Sequence, residues 1–238
     1  MTIILDGTNG ITSPGETLTG TQVLAAGTTT VAPLDFTAGT NLTTPLAGAM
    51  EYDGKVIYAT PQGTQRGVVP GAQFFRLDSG LAGANVNTVQ SVFGVSVTLS
   101  SSTVYEFEAV YVFTKSAGTT SHTLGIGFGG AATVNSIAYS AYTGAVNSAT
   151  PSGRDTTPSA VVTNAAANLA LTGAVTNAAV SIFAVVRGIV SVNAGGTFTP
   201  QYTLSAAPGG AYTTAANSYF LIYPIGASGA NTSVGAWA

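Results

Sequence analysis

Apolar residues recur at every second position along much of this chain. In YEFEAVYVF (105–113), Tyr105, Phe107, Ala109, Tyr111 and Phe113 share one face; Glu106 and Glu108 open the other, which continues through Val110 and Val112. A period of two places alternate side chains on opposite faces of a strand. VQSVFGVSVTL (89–99) puts Val89, Phe93, Val95, Val97 and Leu99 on one side, with Ser91 the exception, and SSST turns the chain into the next run. TLGIGF (123–128) sets Leu124, Ile126 and Phe128 against two glycines, a pattern that lets another backbone approach closely. VNSIAYSAY (134–142), SIFAVVRGIVSV (181–192), TFTPQYTL (197–204) and SYFLIYPI (218–225) extend the series, separated by Gly, Pro, Asn and Ser clusters.

Helix signals are weak. The chain is rich in Thr, Gly, Ser, Asn and Val, which favour strands and turns over helix interiors. Only NAAANLALTGAVTNAA (164–179) offers competition, on alanine content alone. Seven or more strands joined by turn chemistry predict an all-β sandwich or jelly roll over residues 71–238. Residues 1–70 carry short apolar touches spaced by Gly, Thr and Pro, too little bulk for a core. They predict an extended N-terminal β stem or attachment arm, with the boundary where PGAQFFRLDS begins.

Charge changes the picture. Charged residues are 6% of the 238, against roughly 25% in typical domains, and the net charge is −3. The six Lys and Arg are scattered, so phosphate neutralisation along a nucleic acid is not expected. No run approaches the ~18 apolar residues of a membrane helix, and Arg187 interrupts the most apolar stretch, so no membrane insertion is expected. MTIILDGTNG does not read as a secretory signal. There is no cysteine, hence no disulfide framework. After Lys115 only Arg154, Asp155 and Arg187 are ionic, so the surface is covered by Thr, Ser, Asn and backbone or buried against partners. Glu51, Asp53, Lys55 and Arg66, by contrast, cluster within one short segment. Asp53-Gly54 between apolar flanks predicts a hairpin turn over Tyr52–Lys55.

The segment PLDFTAGTNLTTPLAGAMEYDGKVIYATPQGTQRGVV (33–69) resembles one that recurs in fibre and other structural proteins of tailed bacteriophage virions. The resemblance is carried by Leu34, Phe36, Thr37, Gly39 to Pro45, Gly48, Glu51 to Gly54, Tyr58 and Thr60. VRGIVSVNAGGTFTPQYTLSAAPGG…SYFLIYPIG (186–226) is similar to the globular module that follows it in that family. The resemblance implies a virion protein, β-structured and homotrimeric. It would be a tail fibre that contacts a host cell-surface glycan, or a capsid decoration or head-fibre protein held to the shell by its N-terminal arm. Its other partners would be tail, baseplate or capsid proteins.

Candidate chemistry is thin, and no catalysis, cofactor or metal site is expected. His122 stands alone without paired-ligand spacing and reads as a turn or strand-edge residue; an ion on a trimer axis would need three copies of it. Glu106 and Glu108, two apart on a strand, have the spacing of a glycosidase carboxyl pair, but nothing marks a substrate groove. Arg187 is expected to pair with a carboxylate or carbonyl, or to lie at a seam between subunits. Among Tyr202, Tyr212, Tyr219, Tyr223 and Trp237, the alternation assigns Tyr219 and Tyr223 to the core. Tyr212, in PGGAYTTAAN, and the terminal Trp237 are the expected exposed ligand contacts. The loop 142–160 is a further place for specificity.

Overall fold

The computed structural model describes residues 21, 23–146, 159–163, 166, 168–229 and 231–237. The signal-peptide reading of residues 1–10 and most of the 142–160 loop fall outside them. The chain forms two compact units, Met1–Thr37 and Ala38–Ala238. In the first, the Thr28 amide donates to the Val31 carbonyl (2.9 Å), and Thr28 Oγ1 accepts from the Val31 amide (3.1 Å). Val23, Leu24, Val31 and Leu34 are exposed there.

Every regular element described is a strand. In chain order these are β1 (Met50–Tyr52), β2 (Ile57–Ala59), β3 (Gly67–Val69), β4 (Gln73–Arg76), β5 (Leu81–Ala82), β6 (Gln90–Ser91), β7 (Val97–Leu99) and β8 (Thr103–Lys115). There follow β9 (Leu124–Gly129), β10 (Thr133–Val146), β11 (Ser159–Thr163), β12 (Leu169–Ala170), β13 (Val180–Ala194), β14 (Gly196–Leu204), β15 (Thr213–Thr214) and β16 (Tyr219–Ala227). No helix forms over the described part of 164–179; β12 lies there instead.

β1, β2 and β3 make a small antiparallel sheet. A large sheet runs β11-β10-β13-β8, and the far edge of β8 is shared by β16, which continues to β4, and by β15, which continues to β5. A smaller sheet runs β12-β9-β14, with β6 and β7 both pairing the far edge of β14. The inner faces of these two sheets meet in one core. Phe107, Phe113, Ile137, Val186 and Ile222 come from the large sheet, and Leu124, Ile126, Phe128, Phe198 and Tyr202 from the small one, all nearly inaccessible. Phe128 stacks on Phe198 at 4.8 Å and meets Phe107 edge-on at 5.0 Å, a geometry that adds to what burial alone contributes. Each fully buried side chain of this size contributes about 1.5–3 kcal/mol by leaving water.

The alternation of β8 holds from Tyr105 to Lys115, with odd-numbered positions inside; Val104, at its start, is buried as well. The Gly-rich face of β9 works as its sequence implies: a Cβ on Gly125 would stand 2.7 Å from the Leu169 carbonyl oxygen of β12. Residues 89–99 depart from expectation. They form two short strands, β6 and β7, broken at Gly94 with φ +69°, a conformation that suits glycine. Phe93 and Leu99 therefore stay inside while Val89 and Val95 turn outward.

Candidate binding surfaces

The ionic cluster at 51–66 is a folding device. Arg66 meets Glu51 through two parallel bonds, Nε to Oε2 at 2.8 Å and Nη2 to Oε1 at 3.1 Å. The same pair clasps the Leu42 backbone: its carbonyl accepts from Arg66 Nη2 at 2.6 Å and its amide donates to Glu51 Oε1 at 2.6 Å. The fork of the guanidinium matches a carboxylate as an ammonium would not. Next to it β1 and β2 close on Asp53. Its Oδ1 accepts from the Lys55 and Val56 amides, both at 2.8 Å, and its Oδ2 from the Tyr58 hydroxyl at 3.0 Å. Burial raises the Asp53 pKa, but these amide and hydroxyl donors outweigh it, so the carboxyl lies below its ordinary value. Burial first, and then the bond to Asp53, push the Tyr58 hydroxyl up to about 12.

Asp53 and Gly54 thus form the predicted hairpin, one residue out of the expected register. The turn closes between Asp53 and Val56, with Gly54 and Lys55 central rather than Asp53 and Gly54. Gly54 takes φ +86°, and Gly first with positive φ is the two-residue turn whose twist suits a hairpin. Lys55 Nζ reaches across to the Ser101 carbonyl at 3.0 Å.

Tyr212 is not the exposed contact its loop suggests. β15 inserts beside β8 directly after it, which carries the ring inward to full burial. Its hydroxyl donates to His122 Nε2 at 2.9 Å, since His122 Nδ1 lies 2.7 Å from the Thr120 carbonyl and so carries the proton. Lys115, equally buried, donates to the carbonyls of Ala117, Gly118 and Asn177 and lies 5.9 Å from the Tyr212 ring centre. His122 bridges Val175 in strand fashion, as a strand-edge residue. Among the described residues no three of His, Asp and Glu come together as metal ligands would. Trp237 is exposed (81%), its Nε1 donating to the Val234 carbonyl at 2.6 Å.

Tyr219 and Tyr223 likewise exchange places with their neighbours. Phe220 and Ile222 fill the core, and the tyrosines stand on the outer face of the large sheet. Arg187 is there too, with Nη2 2.9 Å from Glu108 Oε2, and Glu108 Oε1 accepts from the Tyr219 hydroxyl at 2.8 Å. Glu106 accepts from Tyr223, whose hydroxyl is pushed up to about 12 by burial and then by that bond. Each carboxylate of the pair is therefore tied to a tyrosine.

One further surface leaves no local mark in the sequence. An apolar cleft of about 300 Å³ opens between β4 and β7, lined by Phe74, Phe75, Phe93, Val97, Phe220 and Ile222. Phe75 meets Phe93 edge-on at 5.6 Å across it.

No family model matches the chain, and no curated protein matches its sequence. Among solved structures it is similar to a chain of the infectious bursal disease virus Gx strain: 12% identity, 82% of this chain and 50% of that one, TM-score 0.19. A chain of the VP2 subviral particle of infectious bursal disease virus is similar at 13% identity, over 76% of this chain and 46% of that one, TM-score 0.19. This chain spans about half the length of those it matches. At such scores the likeness carries no argument about what this chain does.

Proposed function

We propose that this chain is a bacteriophage virion structural protein, a homotrimeric tail fibre whose sandwich contacts the host cell surface. The observation that supports this most is the behaviour of the segment 33–69. Its Glu51, Asp53, Gly54, Tyr58 and Thr60, which carry the resemblance to phage fibre proteins, hold the small sheet together. Glu51 is spent on Arg66 and Leu42, Asp53 and Gly54 make the turn, Tyr58 bonds Asp53, and the Thr60 amide closes on Ala49 at 3.0 Å. The pattern therefore marks a structural module that is placed and touched, and the reading assigns it no catalysis. Trp237 offers an open aromatic face on which a sugar ring of a surface glycan stacks.

A capsid decoration or head-fibre role is the second reading. It is favoured by the first compact unit, whose exposed Val23, Leu24, Val31 and Leu34 are apolar side chains suited to a shell protein that covers them.

Electron microscopy of the parent particle, with a gold-labelled antibody against residues 71–238, separates the readings. Label at the tail supports the fibre, and label over the head supports decoration. Particles that carry no label overturn both.

A further inference from the structure

We propose that the outer face of the large sheet, centred on Arg187, is the seam along which copies of this chain pack against one another. The inference rests on the homotrimer proposed above and names the surface that would build it.

Register fixes what this face presents. Arg187 lies level with Ser140 on one side and with Glu108, Leu221 and Phe74 on the other, across five strands. One step along, Tyr142, Val185, Val110, Tyr219 and Arg76 are level; one step the other way, Ile189, Glu106 and Tyr223 are. The second face of an antiparallel sheet is ordinarily solvated and polar. Here Tyr142 (51%), Phe183 (48%), Ile189 (48%) and Phe74 (58%) lie open on it. Aromatic and aliphatic side chains around an arginine are the composition of an interface centre.

Size points to a second copy of the chain. Five strands spaced ~4.8 Å apart make a face about 24 Å wide, and four residue levels cover about 20 Å along the strands. That is roughly 500 Å² of flat sheet, and side-chain relief raises it toward the ~800 Å² per partner of a stable interface. Three such faces set round an axis stand about 7 Å from it, against the ~5 Å a side of ordinary sheet packing, a gap that long side chains such as Arg187, Tyr142 and Phe183 fill. Charge points the same way. The face holds Arg187 with its side chain 70% exposed beside Glu108, Glu106 one level away on β8, and Arg76, paired with Asp78, one level the other way on β4. A surface with both signs on it is its own complement: Arg187 of one copy meets Glu106 of the next.

The full chain is tested by light scattering over a concentration series, with Ile189→Asp beside it. The wild type should run near three times its 23.6 kDa mass. The variant should run as a monomer at the same concentration, its apparent dissociation constant raised at least 100-fold, with an unchanged circular dichroism spectrum. Because the chain has no cysteine, Ile189→Cys gives a second readout that asks nothing of folding. A bulky maleimide should label it at least tenfold more slowly than Trp237→Cys. Wild-type trimers with Ile189→Asp still trimeric, or with the Ile189→Cys thiol labelled freely, overturn this seam and leave the trimer standing. A wild type monomeric throughout overturns both.

Discussion

Among the described residues the same ion pair forms twice, in two settings. Arg66 and Glu51 keep 17% and 10% of their side-chain surface; Arg187 and Glu108 keep 70% and 35%. The first pair is bidentate and clasps the Leu42 backbone, so each of its members is held by two partners. The second spans neighbouring strands on an open face, among exposed apolar side chains such as Phe183 and Ile189. Identical chemistry therefore means different things. Where water is already excluded the pair fixes the fold, and where water still reaches it the pair contributes little until something covers it.

The largest test of that contrast is Arg66→Ala. It leaves Glu51 without its counter-charge, which should cost the small sheet about 3 kcal/mol. Hydrogen exchange at the Tyr58 and Thr60 amides should speed by about two orders of magnitude. Unchanged protection there would mean that the pair is ornamental. Gly54→Val comes next. At φ +86° a side chain is strained, and its Cβ would lie 3.3 Å from that of Ala38. A loss of about 1–2 kcal/mol is expected from the left-handed conformation alone, read from the same amides.

A smaller effect is expected from pH. The Asp53 carboxyl is lowered from its ordinary 3.8, so it is ionised in the folded state where the unfolded chain would take up a proton. A depressed carboxylate contributes its stability above the unfolded value and loses it as pH falls through the folded one. Protection of the small sheet should therefore fade as pH drops below about 3.8. In Asp53→Asn the fading should be weaker over that window. Equal slopes in the two proteins would show that other carboxyls carry the acid response.

Much of this was legible in the sequence, for reasons that also mark where legibility ends. β8 could be read because its two faces differ, acidic at Glu106 and Glu108 against an unbroken apolar set. β16 could not, because Tyr219, Leu221 and Tyr223 are nearly as apolar as Phe220 and Ile222, and alternation alone does not say which set faces inward. The hairpin at Asp53-Gly54 was visible as chemistry but not as register, since one residue's shift leaves the dipeptide unchanged. Tyr212 reads as exposed because its neighbours Pro208, Gly209 and Gly210 are loop residues, yet it is fully buried. Its buried hydroxyl finds its partner in His122, ninety positions away, which no local pattern connects to it. The cleft between β4 and β7 arises from two edges meeting, so it belongs to neither stretch alone.

The smallest effect should come from Glu108→Gln. The amide keeps an acceptor for the Tyr219 hydroxyl and loses only its charge opposite Arg187, on a face where exposed pairs contribute about 0–1 kcal/mol. In dilute protein the unfolding free energy should change by less than about 0.5 kcal/mol. Carbohydrate on the host surface should be uncut by wild type and variant alike; cleavage lost only in the variant would make the carboxylate catalytic. The same substitution at high concentration is the more pointed measurement. If copies close over this face, the pair leaves water and its loss becomes as costly as that of Arg66, so the penalty should grow with concentration. A penalty that stays small at every concentration would mean that Arg187 and Glu108 face solvent in the working protein, and the two ion pairs would differ for good.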